Sequence, residues 1–371
     1  MDDSLPLRPC CFLLLFLTAP LLSFATQAEE EVQYKLEHFS YAGPMAVLQL
    51  ANNWHGNMKP GRDAISFFQH EISIKKNNFT LGLLSRSYHQ FSIENDFARG
   101  FYYYNNEISL DEELRVEGSV SAKTYSGMGL RLAYDFLFNP FSETSLRLTP
   151  SIVALRLDDI IWGQFKGELF YSDTDNWGGT IDLEYGYTKD HIVRRPLKGE
   201  SLGQLYGLDL ESEWKSPWLD VIYQGINLFS RVYWDGLPKT KAQVSTETAF
   251  LLFGYEYFDD VILHAPALHY IQASGPLSNI SVLSDTAFNW LTSARVTPIK
   301  SFYYHGFQYP SSLDIFGGTH TVKFGFQHDF STRTTRLSLD HANISAVLAS
   351  QTLDVSRSQQ LVAKFTFHYR F

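Results

Sequence analysis

LVAKFTFHYRF, residues 361–371, places Leu361, Ala363, Phe365, Phe367, Tyr369 and Phe371 on one parity and Val362, Lys364, Thr366, His368 and Arg370 on the other. Successive side chains of a strand point to opposite faces, so this stretch reads as a strand with one largely aromatic face and one polar face. The alternation recurs upstream. In GMGLRLAYDFLF, Met128, Leu130, Leu132, Tyr134, Phe136 and Phe138 oppose a face that carries Arg131 and Asp135. In WGGTIDLEYGYT, Ile181, Leu183, Tyr185 and Tyr187 oppose Asp182 and Glu184. A helix with these spacings would bury charge. Similar segments span residues 114–122, 163–171, 205–214, 250–257, 320–330 and 332–340. Less regular ones cover 65–74, 79–86, 146–157, 221–234, 261–271 and 344–353.

Composition fits this all-β reading. Aromatic residues make up 15% of the chain and charged residues only 19%, which suits half-buried strands and is the reverse of a disordered chain. The formal net charge of −10 and the lack of a compact Lys/Arg cluster argue against nucleic acid as a partner. Residues 1–28 read as a cleaved secretory signal, with an apolar run from about Cys11 to Phe24 followed by the small residues Ala25, Thr26 and Ala28. Both cysteines, Cys10 and Cys11, fall inside it. An exported protein of this size without a disulfide suits a bacterial envelope, and without thiols it has no thiolate metal site. No cofactor or metal is expected.

Turn-forming residues separate the strands, among them Asn77-Asn78, Asn139-Pro140 and Ser274-Gly275-Pro276. Short connections are expected at Asn77-Asn78, near Ser331 and near Asn343, and longer ones at 190–201, 235–246 and 296–318, the last able to fold inward. Residues 29–63 contain one plausible strand, 46–50, and read as a periplasmic or lumen-lining lead-in to a barrel of residues 64–371.

The strand ending in Phe371, with aromatic or apolar residues at every second position before it, resembles the closing strand of Gram-negative outer-membrane β-barrel proteins. The resemblance implies that Phe365, Phe367, Tyr369 and Phe371 form the signal read by the barrel-assembly machinery. Deleting Phe371 is expected to impair assembly, seen as loss of the heat-modifiable band on electrophoresis. The physical reason for a barrel is independent of the resemblance. In hydrocarbon every backbone N–H and C=O must be paired internally, so a sheet crosses a bilayer only by closing on itself. The expected architecture is a transmembrane antiparallel up-and-down β-barrel of about 14 strands, between roughly 12 and 16. It would lie in the outer membrane among its lipid and lipopolysaccharide. A soluble β-sandwich is the alternative.

On that reading the polar parity faces the lumen and carries Arg115, Glu117, Arg131, Asp135, Lys166, Glu168, Asp182, Glu184, Asp209, Glu211 and Glu213. If the strands that bear the last six carboxylates are neighbours, they form an acidic stretch of wall that favours cations. The expected function is a porin-like passive channel for small solutes. The alternative is a non-conducting partner of an envelope or secretion complex. Third comes an outer-membrane lipid hydrolase, and an enzyme is not the expectation. Glu94, Asn95, Asp96 and Phe97 are similar to an acidic element of the lipid A deacylase family, but the Thr-Asn-Gly expected downstream is absent. No H-E-x-x-H, G-x-S-x-G or P-loop occurs. His328 and His341, beside Asp340, are the histidines placed to act as bases, with His320 and His328 on the parity of Phe324 and Phe326. The pairs Asp158-Asp159 and Asp259-Asp260 read as turn residues, and Arg194, Arg195 and Lys198 as a solvated loop or a lipopolysaccharide contact.

Overall fold

The computed structural model describes residues 30–51, 58–59, 61–172, 177–189, 202–245, 250–277, 288–315 and 318–370. The expected signal segment, Arg194, Arg195, Lys198 and Phe371 lie outside them. Seventeen strand segments form one antiparallel sheet. In chain order they are β1 (Glu30–Ala42), β2 (Asp63–Lys76), β3 (Phe79–Ile93), β4 (Leu114–Tyr134), β5 (Phe136–Phe138) and β6 (Ser145–Tyr171). Then come β7 (Trp177–Tyr187), β8 (Gly203–Lys215), β9 (Asp220–Ser245), β10 (Phe250–Leu263), β11 (Leu268–Pro276) and β12 (Asn289–Val296). The last are β13 (Ser301–Ile315), β14 (Gly318–Asp329), β15 (Thr334–Asp340), β16 (Ile344–Ser350) and β17 (Gln360–Arg370).

The sheet has no free edge, because β1 pairs with both β2 and β17, in register from Glu31↔Arg370 to Tyr41↔Gln360. Three positions around the ring are shared by two segments. β5 continues β4; β7 lies above β8, both between β6 and β9; and β10 lies above β11 alongside β9. Seventeen segments therefore make a closed ring of fourteen staves.

Residues 30–42 are a wall strand and not a lead-in, so the barrel begins at Glu30 and not at residue 64. Val32, Tyr34 and Leu36 alternate there with Gln33, Lys35 and Glu37, but Phe39 and Tyr41 put aromatics on the polar parity and blur the contrast. The expected strand 46–50 falls instead on a short helix, α1 (Val47–Ala51). Residues 301–315 are also wall, as β13: Phe302 and Tyr304 face inward and Tyr303 and Phe307 outward, so aromatics on both parities hide the period. Likewise the expected connection 235–246 is mostly the upper half of β9.

The start of β1 and the end of β17 share one rim with the tight turns at Asn77-Asn78, Ser216–Leu219 and His341–Asn343. Asn77 adopts φ +54°, which Asn tolerates better than most residues. At the other rim β4, β6, β7, β9 and β10 rise beyond their neighbours. Bulges mark where they leave the ring: Asp158 is the extra residue between Ser126↔Asp159 and Gly127↔Leu157, and Asp260 lies at a second register shift opposite Asp235 and Gly236. The two Asp pairs thus sit at bulges and not in turns.

A second helix, α2 (Asn95–Asn105), lies against the outer face of the raised part of β4 and β6. It buries Phe97 and Ala98 against Val116, Val120 and Leu169. The approach needs Gly118, where a Cβ would come within 2.4 Å of Phe97 Cβ. Here α2, and not lipid, covers the outer face of β4 and β6.

Candidate functional site: the lumen and its two faces

Below the bulges the outward parity is apolar and open. Phe79, Leu81 and Leu83 on β3, Met128, Leu130 and Leu132 on β4, Leu337 and Leu339 on β15, and Phe365, Phe367 and Tyr369 on β17 are 36–60% exposed. Soluble monomers rarely expose so many large apolar side chains in one contiguous belt. The inward parity carries the charge. No helix among the described residues is long and apolar enough to cross a membrane. The sheet, closed by the pairing of β1 with β17 and with its apolar parity outward, is the element that meets the demands of hydrocarbon. The chain is a transmembrane β-barrel of the outer-membrane type.

No family model matches the chain, and no curated protein matches it. Among solved structures it is similar to a Pseudomonas aeruginosa FadL homologue, with 8% identity over 92% of this chain and 87% of that one and a TM-score of 0.24. It is also similar to the Escherichia coli outer membrane protease OmpT, with 7% identity over 94% and 99% and a TM-score of 0.20. A third is Acinetobacter baumannii OccAB3, with 8% identity over 93% and 100% and a TM-score of 0.15. The barrel assignment rests on this chain's own register and parity.

Inside, the lumen is layered. Nearest the rim of the tight turns is a polar bay of about 270 Å³, lined by both signs of charge: Lys35, Arg147 and Lys364 beside Glu37, Glu211 and Glu213. Above it, ion pairs bridge staves on different sides of the ring. Lys35 Nζ on β1 donates to Glu211 Oε1 on β8 at 3.1 Å. Arg131 on β4 donates to Glu71 on β2 at 3.0 Å and to Glu211 at 3.2 Å. Arg295 on β12 reaches the carboxylate of Glu37 on β1, nearly opposite.

Arg86 on β3 is the most enclosed of these cations. Its guanidinium donates to Asp209 Oδ2 at 2.5 Å, Asn227 Oδ1 at 2.8 Å and Gln69 Oε1 at 3.0 Å. On the β11–β15 side, Arg336 donates to Tyr270 Oη at 2.6 Å and Ser293 Oγ at 3.0 Å. Each buried cation thereby meets an acceptor, which burial requires.

Higher still, apolar and aromatic side chains meet across the axis. Phe39 of β1 and Phe302 of β13 pack edge to face with centroids 5.1 Å apart, and Leu84, Tyr125, Leu155, Leu205 and Trp234 join the same cluster. Gly203 makes room for Trp234, since a Cβ there would lie 2.0 Å from the indole ring. Side chains therefore close the lumen at mid-height among the described residues.

The eleven charged residues read from the sequence all lie on the inward parity, but at two levels. Arg131, Asp135, Asp209, Glu211 and Glu213 lie in the lower barrel. Arg115, Glu117, Lys166, Glu168, Asp182 and Glu184 line the raised wall. The expected single acidic stretch is corrected here, because β8 sits below β7 on one stave and not beside it. The carboxylates are also paired: Asp209 with Arg86, Glu211 with Lys35 and Arg131, and Glu213 with Arg147 and Lys215. Above, Glu168 meets Arg115 and Glu184 meets Lys241, while Asp182 faces Lys166 across strands. Asp135 pairs with Lys75 at 2.5 Å.

Sequence reasoning missed Glu37, Glu71, Arg86, Arg295 and Arg336. For Arg86 and Arg295 the signal available was a lone charge on the inward parity of its strand, whereas Glu37, Glu71 and Arg336 share their parity with Lys35, Lys75 and Asp340.

Glu94 precedes α2 and accepts from Ser119 Oγ at 2.7 Å, on the β4 parity that also carries Arg115 and Glu117. On the outer face His38 Nε2 lies 2.5 Å from Ser40 Oγ, and Ser40 lies 2.8 Å from Ser66 Oγ. No carboxylate joins them among the described hydrogen bonds, so this pair lacks the acid of a hydrolytic triad. No group of three or more His, Cys, Asp or Glu able to hold a metal occurs among the described residues.

Proposed function

We propose that the protein is an outer-membrane passage for small polar solutes that is shut at rest, and not an open porin. The observation that carries this reading is the set of ion pairs strung across the lumen above the polar bay, with Arg295–Glu37 linking nearly opposite staves. Buried ion pairs are a costly filling; apolar side chains of similar volume usually stabilise as well or better. Charges kept inside a wall that could have been filled with leucine suit a path that is hydrated when it opens. Because both signs are present and paired, this reading carries no cation preference.

The apolar layer of Phe39, Phe302 and Trp234 favours a second reading, a permanently non-conducting barrel that serves as a partner in an envelope complex. Planar-bilayer recording separates the two. Wild-type protein should be silent at low voltage, and the triple variant Glu37→Ala/Arg295→Ala/Phe302→Ala, which removes a bridge without orphaning a charge and also opens the apolar layer above it, should show discrete conductance steps. Silence of both would favour the non-conducting partner. Steady wild-type conductance with cation preference would restore the open porin.

A further inference from the structure

We infer that the outer wall carries a binding site for one phosphate-bearing lipid, at a dent where β9 loses its partner. This inference needs the transmembrane reading but not the gating.

The dent has a backbone cause. β9 pairs with β11 only as far as Ile226 and with β10 only from Val232 upward, and the link His264–Ala267 forms no ladder with the residues between. On its other side β9 carries a bulge, since Leu208 pairs with Phe229 but Leu210 with Gly225. Asn227, inside this bulge, adopts φ +55°. Side chains replace the missing ladder: Asn227 Nδ2 donates to Pro266 O at 3.2 Å and Ser230 Oγ to Ala265 O at 2.9 Å. His264 Nδ1 donates to Ser230 O at 2.7 Å, which leaves Nε2 directed elsewhere. The result is a depression of about 860 Å³ in the wall.

Its chemistry is graded along the strands. The lowest outward row is Ile152, Leu208 and Phe229; the next is Ala154, Tyr206 and Arg231; the highest is Arg156, Gln204 and Tyr233. Apolar side chains thus give way to one tyrosine and one arginine in each of the next two rows, Tyr206 with Arg231 and then Tyr233 with Arg156, and the small Ala154 leaves space between them. That sequence matches an amphiphile with acyl chains below and an anionic head above.

Arg231 and Arg156 are exposed on the lipid-facing side, and among the described residues no carboxylate makes an ion pair with either. A guanidinium there costs little near the interface and gains most from a bidentate phosphate. The occupant arrives from the bilayer because the lowest row is continuous with the apolar belt, which excludes a soluble anion as the natural ligand.

The test uses the intact barrel in an uncharged maltoside detergent, with bound lipid counted by native mass spectrometry. The wild type should retain one phosphatidylglycerol in preference to diacylglycerol of the same chains, and inorganic phosphate at equal concentration should not displace it. Arg231→Ala and Arg156→Ala should each weaken retention about tenfold, and Arg231→Lys by less, because Lys lacks the planar fork. Both positions are exposed, and unchanged heat-modifiable mobility checks that each variant has folded. Equal retention by folded wild type and Arg231→Ala would overturn the site, as would equal binding of diacylglycerol. Displacement by inorganic phosphate would show an anion site that does not read lipid, and would also overturn it.

Discussion

Arg86→Ala is expected to destabilise the barrel by about 3–5 kcal/mol, the usual cost of breaking a buried pair by removing one partner. The Arg86 side chain is fully buried and Asp209 is 7% exposed. Without the guanidinium, Asp209 keeps only the Asn227 backbone N–H, 2.7 Å from its Oδ1, among the hydrogen bonds described here. Asn227 and Gln69 lose donors in the same step. Urea unfolding in phospholipid vesicles would measure the loss. The informative companion is Arg86→Met/Asp209→Leu, which removes both charges and keeps most of the volume. It should recover much of the stability, because desolvation of two ions is removed along with their attraction. If Arg86→Ala unfolds like wild type, water reaches this layer and the lumen is not closed there.

The second large effect concerns the outside. Leu130 is 56% exposed and lies between Met128 and Leu132 on the apolar face of β4. Were that face in water, Leu130→Arg would be nearly neutral, as most surface substitutions are. Facing lipid near the bilayer midplane it should cost about 2–4 kcal/mol, and a matching change on an inward position that meets water should not. Refolding yield and urea midpoint in vesicles report the difference. A neutral result would remove the bilayer from the account of this wall.

The strands legible in the sequence were those with clean alternation. β4, β7, β14 and β17 each separate apolar and polar parities, so the face of each residue followed from spacing alone. β1 and β13 were harder because Phe39, Tyr41, Phe302 and Tyr304 point inward, where the period-2 argument expects polar groups. Those residues build the layer that closes the lumen, so the strands that broke the pattern are the ones that block the path. The charged residues could be assigned to a face, but their partners could not. Lys35 and Glu211, or Arg295 and Glu37, lie far apart in sequence and on different staves, and only closure of the ring brings them together. The stacking of β7 over β8 was hidden for the same reason. Each reads as an ordinary strand, and nothing local says that they share a stave.

The seam between β1 and β17 has a consequence for biogenesis. Its partners are the most distant strands in the chain, from Glu31 against Arg370 to Tyr41 against Gln360, so the seam is the contact with the greatest loop-closure demand and the last that synthesis permits. A nascent polypeptide interrupted before β17 would not be a smaller barrel. It would be a curled sheet with two raw hydrogen-bonding margins, open to proteolysis and to pairing with a neighbour in the periplasm.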